Sequence, residues 1–78
     1  MQTIQQKLRG LREDNDLTQT QVAQILGTSQ TMYARYERGA NELPIRHLVT
    51  LCRLYNISAD YFLGTAPDPR RRRGVEKR

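Results

Sequence analysis

Residues 18–39 read TQTQVAQILGTSQTMYARYERG, and this stretch decides the fold because it holds two helices joined by a very short turn. Thr18 is an N-cap residue, and Gln21 three positions later completes a capping box at the start of the first helix. Gly27 ends that helix. Thr28 or Ser29 then caps a second helix, so only about three residues separate the two, which is the length of a helix-turn-helix turn.

The sizes of the side chains fit such a motif. Two helices that cross closely need a small residue midway along the first, and Ala23 occupies that position. Four positions later the turn needs a residue that tolerates positive φ, which is Gly27. Tyr33 and Tyr36, at i and i+3, form the inner face of the second helix, which ends near Arg38 and is capped by Gly39. The positions left to point outward are Gln30, Thr31, Ala34 and Arg35.

This outward face is suited to reading base edges in a DNA major groove. Arginine can bind guanine through O6 and N7, glutamine can bind adenine through N6 and N7, and a threonine methyl can contact the thymine methyl. The residues predicted to contact bases are therefore Gln30, Thr31 and Arg35. Taken without the helix-turn-helix frame, the same three residues would be read as an ordinary solvated helix surface.

Three further helices are predicted around this pair, which gives an all-α, five-helix fold. The first runs from Thr3, its cap, to Asp14, and the fourth begins with Pro44 in its first turn. A short fifth helix, 59–63, is capped by Ser58 and ended by Gly64. The buried stripes are predicted to be Ile4, Leu8 and Leu11 in helix one, Val22, Ala23, Ile25 and Leu26 in helix two, and Leu48, Leu51, Cys52 and Tyr55 in helix four.

The chain divides by charge into residues 1–64, the predicted DNA-binding domain, and residues 65–78, a predicted disordered basic tail. Of the net charge of +5, residues 67–78 carry +4, including the run Arg70 to Arg73. Proline, consecutive arginines and few apolar residues are typical of chain that does not fold. The run is expected to be either a solvated tail or a nonspecific nucleic-acid arm.

Composition argues against several function classes. No apolar run approaches the ~20 residues that span a bilayer, and the N-terminus lacks the apolar stretch of a secretory signal, so a cytoplasmic protein is expected. Cys52 and His47 cannot supply a zinc site, which takes four ligands as a rule. Cys52 is interpreted as a packing residue and His47 as a surface or boundary residue. The sequence predicts no metal, no cofactor and no enzymatic activity.

The stretches LTQTQVAQILGTSQTMYARYERG (17–39) and NELPIRHLVTLCRLYNISADYFLG (41–64) resemble the Cro/repressor-like family of helix-turn-helix regulators. The resemblance covers about residues 3–64. It implies a five-helix bundle that binds operator DNA, usually as a dimer.

The resemblance also implies roles for individual residues. Gln19 matches a glutamine that grips a phosphate and braces the first residue of the recognition helix, here Gln30. Arg12 and Glu37 match a pair that forms a salt bridge between helices one and three. Tyr33 departs from the family, which more often has an aliphatic residue there, so its hydroxyl could tilt toward the DNA backbone. The remaining phosphate-contacting positions are Arg38 and the backbone from Asn41 to Leu43.

The leading hypothesis is a transcriptional repressor that binds double-stranded DNA in a sequence-specific manner, as a homodimer on a palindromic operator. Because one module this small buries little DNA surface, two half-sites about one helical turn apart are expected. The predicted dimer surface is the fifth helix and its flanks, Tyr61 and Phe62 especially. Two alternatives remain: an antitoxin or similar protein-interaction module with this fold, and a nonspecific RNA or DNA binder.

Overall fold

The computed structural model describes residues 3–64, and within them every regular element is a helix. The bounds are α1 Ile4–Asp14, α2 Gln19–Leu26, α3 Gln30–Arg38, α4 Ile45–Tyr55 and α5 Ala59–Leu63. The all-α, five-helix prediction is confirmed, with α2 and α3 as its helix-turn-helix. The predicted disordered tail, 65–78, lies outside the described residues.

Local side-chain chemistry sets most of the helix ends. Thr3 and Thr18 each form a capping box, in which the threonine hydroxyl accepts from the backbone of the third helical residue and a glutamine reaches back to the cap. Ser29 and Ser58 cap α3 and α5 through their hydroxyls. Pro44 is the N-cap of α4, with ψ 149°, and not a first-turn residue as predicted. The difference is one position, and this N-cap makes no side-chain hydrogen bond.

The core lies where α1, α2 and α3 meet the two C-terminal helices. Its buried apolar residues are Leu8, Leu11, Val22, Ala23, Leu26, Tyr33, Tyr36, Leu51, Tyr61 and Phe62. Leu48, Cys52 and Tyr55 are partly buried against that core, so the predicted stripe of α4 is confirmed. Tyrosine and phenylalanine supply much of the buried volume in a chain with no tryptophan.

Two burial predictions are wrong. Ile25 was expected on the inner face of α2, but 46% of it is exposed, because Val22, Ala23 and Leu26 already fill the stripe that faces the core. His47 was expected at the surface or boundary, but it is buried, and its ring meets that of Tyr36 edge-on at 5.8 Å between centroids. His47 lies one helical turn before Leu51, on the buried stripe of α4, and it was expected at the surface because its side chain is polar.

The short helix α5 is held against α1 by a buried lysine. The Nζ atom of Lys7 donates to the carbonyl of Tyr61 at 2.6 Å and lies 4.8 Å from the centroid of the Tyr61 ring. Tyr61 and Phe62 themselves are buried in the core. The prediction that these two residues form the dimer surface is therefore wrong, since their area is already covered within one chain. Of α5, Leu63 is left 63% exposed.

Candidate nucleic-acid interface

The turn between α2 and α3 presents α3 at a fixed angle to the rest of the domain. Gly27 adopts the left-handed conformation, with φ 76°. The amide of Thr28 then donates back to the carbonyl of Ala23 at 2.9 Å. Because Ala23 is buried and small, α2 and α3 can cross closely. The left-handed Gly27 and this hydrogen bond thus set the direction in which α3 leaves the turn.

The outer face of α3 is polar and solvent-facing, whereas its inner face is fully packed. Gln30, Thr31 and Arg35 are exposed, as expected from the sequence, and Tyr33 and Tyr36 are buried. Ala34 is half-buried. The exposed set offers an amide, a hydroxyl with a methyl group and a guanidinium, which are groups that can hydrogen-bond or pack against base edges.

A chain of side-chain hydrogen bonds connects this face to the domain interior. The Nε2 atom of Gln30 donates to Oε1 of Gln19 at 2.7 Å, and Nε2 of Gln19 donates to Oε1 of Glu37 at 3.0 Å. Gln19 thus uses both ends of its amide, one toward the recognition helix and one toward a buried carboxylate. The first residue of α3 is oriented by contacts to α2 as well as by its own backbone.

That carboxylate belongs to an ion pair between α1 and α3. Arg12 binds Glu37 through two parallel contacts, Nε to Oε2 at 2.7 Å and Nη2 to Oε1 at 3.2 Å. The Nη1 atom of Arg12 also donates to the carbonyl of Leu17 at 3.0 Å. Only 14% of the Arg12 side chain and 5% of the Glu37 side chain are exposed. This bidentate geometry is the strong form of an arginine–carboxylate contact.

The ion pair shifts the titration of both groups. Hydrogen bonding to Glu37 raises the pKa of Arg12 further above its usual value. Burial alone would raise the pKa of Glu37, but the hydrogen bonds from Arg12 and Gln19 outweigh it, and the pKa of Glu37 is lowered. Both groups therefore stay charged across the physiological range, and the network keeps one protonation state.

Two tyrosine hydroxyls lie buried near this pair. Those of Tyr33 and Tyr55 make no hydrogen bond of good geometry, although Tyr33 lies beside Glu37. Burial raises the pKa of Tyr33 strongly and that of Tyr55 to about 12. The expectation that Tyr33 could tilt its hydroxyl toward a DNA backbone is wrong, because the whole residue is enclosed.

The remaining expected contacts lie around the C-terminal end of α3. Arg38, the last residue of α3, is exposed. Asn41 is half-buried, and its side-chain amide donates to Sδ of Met32 at 3.4 Å. Leu43 packs against the core, so its side chain faces inward and only its backbone could meet a ligand.

One residue of this surface was missed by the sequence analysis. Arg9 lines a depression of about 240 Å³ together with Arg12, Gln19, Glu37 and Arg38. Arg9 lies one turn before Arg12 on α1, but nothing in the sequence distinguishes it from an ordinary exposed arginine. Its salt bridge to Glu13, 3.0 Å long, is the usual i, i+4 contact of a solvated helix.

Other site chemistry is missing from the part of the chain that the structure describes. Residues 3–64 contain no group of histidine, cysteine or acidic side chains placed to hold a metal ion. Among the same residues, no helix is long and apolar enough to cross a membrane. Cys52 is half-buried, and burial raises the pKa of its thiol, which disfavours the reactive thiolate.

Comparison with known protein families identifies the family to which this fold belongs. The family model described as helix-turn-helix matches residues 8–62, from the middle of α1 to α5. The chain belongs to the helix-turn-helix family. Within it, the chain is of the Cro/repressor-like type expected from its motifs. The match spans all five helices, so it covers the whole of the described fold and not the α2–α3 motif alone.

Two curated relatives share this helix-turn-helix region. The uncharacterized HTH-type transcriptional regulator YobD of Bacillus subtilis is 42% identical over 64 residues, which cover 82% of this chain and 57% of YobD. The antitoxin PezA of Streptococcus pneumoniae is 33% identical over 55 residues, which cover 70% of this chain and 35% of PezA. The matched region is thus about half of the first relative and a third of the second.

A solved structure has the same fold. The P22 c2 repressor protein, crystallised in complex with a synthetic operator, matches with a TM-score of 0.75 and 23% identity. The alignment covers 85% of this chain and all of that one. The five-helix arrangement is therefore that of a phage repressor domain.

Proposed function

We propose that this helix-turn-helix chain binds double-stranded DNA in a sequence-specific manner and regulates transcription, as a repressor that blocks a promoter sterically. The observation that carries the proposal is the exposed row of Gln30, Thr31 and Arg35 on a helix whose first residue is braced by Gln19. Side chains that read bases need fixed positions, since base readout depends on hydrogen-bond geometry. No chemical step and no cofactor are involved, and the site of action is the cytoplasm.

The contacts divide into two classes. Gln30, Thr31 and Arg35 read base edges, and phosphate contacts set the position of the domain on the duplex. The phosphate contacts are assigned to Gln19, Arg38 and the backbone of Asn41 and Leu43. The names of two similar proteins support DNA binding by this fold: one is an HTH-type transcriptional regulator and the other a repressor in complex with a synthetic operator.

The DNA-bound form is proposed to be a homodimer on a palindromic site. A single domain of this size buries too little DNA surface for tight, selective binding. A two-fold dimer doubles that surface and predicts half-sites about one helical turn apart. Analytical ultracentrifugation of the chain, alone and with a selected duplex, measures the stoichiometry directly. One chain per selected site would contradict the dimer.

Selection from a pool of random duplexes at physiological salt tests the proposal. We expect a palindromic consensus to be enriched. Retention of all sequences alike would instead identify a nonspecific nucleic-acid binder.

The second candidate is an antitoxin, which the similarity to PezA favours. Residues 65–78 are basic and contain few apolar residues with which to anchor a partner. Co-purification of a small protein partner in stoichiometric amount, with no duplex enriched in the selection, would establish it.

A further inference from the structure

The depression beside the recognition helix has an uneven distribution of charge. Its floor is neutral, because Arg12 and Glu37 are paired there and only small fractions of their side chains are exposed. Its rim carries two further cations, Arg9 and Arg38, both exposed. The arginines come from different helices, α1 and α3, so the folded chain brings them to one pocket.

Glu37 cannot neutralise the rim. Its Oε2 atom is bound by Arg12, and its Oε1 atom is bound by both Arg12 and Gln19. The carboxylate is thus occupied within the floor. Arg9 forms a salt bridge with Glu13, and this pair is open to water, with 68% of the Arg9 side chain and 53% of the Glu13 side chain exposed. Exposed pairs of this kind are weak and easily exchanged.

The pocket also adjoins the proposed DNA-reading surface. Gln19, which lines it, is the residue that braces Gln30 at the start of α3. Gln19 opens α2, so the positive end of that helix lies at the pocket as well. An anion held there would therefore lie next to the helix that reads bases.

We propose that Arg9 is a further phosphate-positioning residue, which joins Gln19 and Arg38 at one phosphate of the DNA backbone beside this pocket. The inference rests on the proposed DNA binding and adds a contact to it. In the absence of DNA, Glu13 holds Arg9 in an exposed pair. On binding, Arg9 exchanges that carboxylate for a phosphate shared with Arg38. The contact sets the depth and tilt of α3 without reading sequence.

The test compares two variants that remove the same charge from different places. Arg9→Gln removes a rim cation, whereas Arg53→Gln removes an exposed arginine near the end of α4 that does not line the pocket. Binding of the full chain to its selected duplex and to a random duplex is titrated between about 50 and 200 mM salt. We expect Arg9→Gln to weaken both duplexes by the same factor and to make the slope of log K against log salt shallower by about 0.9 per protomer. Arg53→Gln should leave the slope unchanged.

A modified duplex locates the contact. Methylphosphonates that neutralise single phosphates are scanned through the selected site. At one phosphate per half-site, neutralisation should lower the affinity of the wild type for the duplex. The same modification should not lower the affinity of Arg9→Gln. Glu13→Gln releases Arg9, so it should strengthen binding in the wild type and have less effect in the Arg9→Gln background.

The outcomes separate this inference from the proposed function. If Arg9→Gln binds both duplexes as tightly as the wild type does, with the same salt slope, the role of Arg9 is overturned and the proposed DNA binding stands. Equal slope changes in Arg9→Gln and Arg53→Gln would also overturn it, since only net charge would then matter. Failure of the wild-type chain to bind any duplex would overturn both. Melting temperatures of the two variants near that of the wild type are expected, because both arginines are exposed.

Discussion

The carboxylate of Glu37 accepts hydrogen bonds from side chains of two other helices. This one residue therefore bears on both the stability of the fold and the proposed recognition of DNA. Arg12 reaches it from α1 and Gln19 from α2. Through Gln19 the contact extends to Gln30, which lies on the proposed DNA-reading face. A substitution at Glu37 is therefore expected to act on folding directly and on DNA binding through Gln19.

Removing one member of the Arg12–Glu37 pair should be strongly destabilising. Arg12→Ala or Glu37→Ala leaves the other charge buried without its partner, at a cost of roughly 3–5 kcal/mol. In a domain whose total stability is of order 5–15 kcal/mol, such a loss can unfold the chain. A double-mutant cycle by thermal melting measures the coupling between the two residues. Additive losses would show that they do not interact.

Arg35 is expected to determine preference at one base pair. It lies one turn beyond Thr31 on the exposed face of α3. Arg35→Ala should weaken binding to the selected site by about 1–3 kcal/mol and relax the preference at that position. Competition titrations with single-base variants of the site measure both effects. An equal loss on every duplex would reassign Arg35 to phosphate binding.

At the scale of elements, α5 depends on a contact from the other end of the chain. It is only five residues long, so packing, not its own hydrogen bonds, must stabilise it. Tyr61 and Phe62 supply apolar burial, and Lys7 of α1 binds a carbonyl in its last turn. A cation there also complements the negative end of the helix dipole.

Lys7→Met should therefore weaken the attachment of α5. The variant keeps a long apolar stem but loses a charged hydrogen bond to the Tyr61 carbonyl and the contact with the Tyr61 ring. We expect a loss of about 1–3 kcal/mol in the free energy of unfolding. Urea denaturation compares it with Arg53→Met, an exposed site where little change is expected. Equal stability of Lys7→Met and wild type would mean that apolar packing alone holds α5.

The contact between α3 and α4 should be sensitive to mild acid. His47 packs on Tyr36, and burial, assisted by Arg46, lowers its pKa. The unfolded chain then takes up a proton before the folded one, so stability falls as pH drops below about 6.5, the unperturbed value. His47→Phe should reduce this decline between about pH 7 and pH 5. Glu37, with its lowered pKa, acts in a separate window below its ordinary value of 4.5. A decline of the same size in variant and wild type, measured by urea denaturation, would exclude His47 as its source.

At the scale of the whole molecule, charge is concentrated at one end of the sequence. Residues 1–66 carry seven basic and six acidic side chains, whereas residues 67–78 carry six basic and two acidic ones. The proposed DNA binding by the folded part therefore depends on well-placed groups and not on net charge. The tail, if it reaches the duplex, adds attraction that is indifferent to sequence.

Truncation after Ala66 separates these two contributions. If these twelve residues are unfolded, as the sequence predicts, they would span roughly 20 Å, enough to reach a DNA backbone near the end of α5. We expect the truncation to weaken selected and random duplexes by similar factors, and to make the salt slope shallower by about 1–4 per protomer. Base preferences should stay the same. An unchanged salt slope would show that the arginine run does not contact DNA.

Local sequence signals predict the five helices and most of their ends, the start of α4 being one residue off. Thr18 with Gln21, and Gly27 in the turn, act within one or two helical turns of themselves. The exposed face of α3 also followed from the sequence, since a helix that buries Tyr33 and Tyr36 turns Thr31 and Arg35 to the opposite side. The pairing of Arg12 with Glu37 came from resemblance to a family and not from spacing.

Tertiary packing accounts for what local sequence signals leave open. Lys7 and His47 fall on the apolar stripes of α1 and α4 by their spacing, but their side chains are polar, and they are buried because Tyr61 and Tyr36 pack against them. Aromatic residues such as Tyr61 and Phe62 would suit either a domain core or a dimer interface. The docking of α5 shows that they face the core. Arg9 joins Arg38 in one pocket because α1 packs beside α3. Contacts across such separations depend on helix packing, which local sequence preferences do not specify.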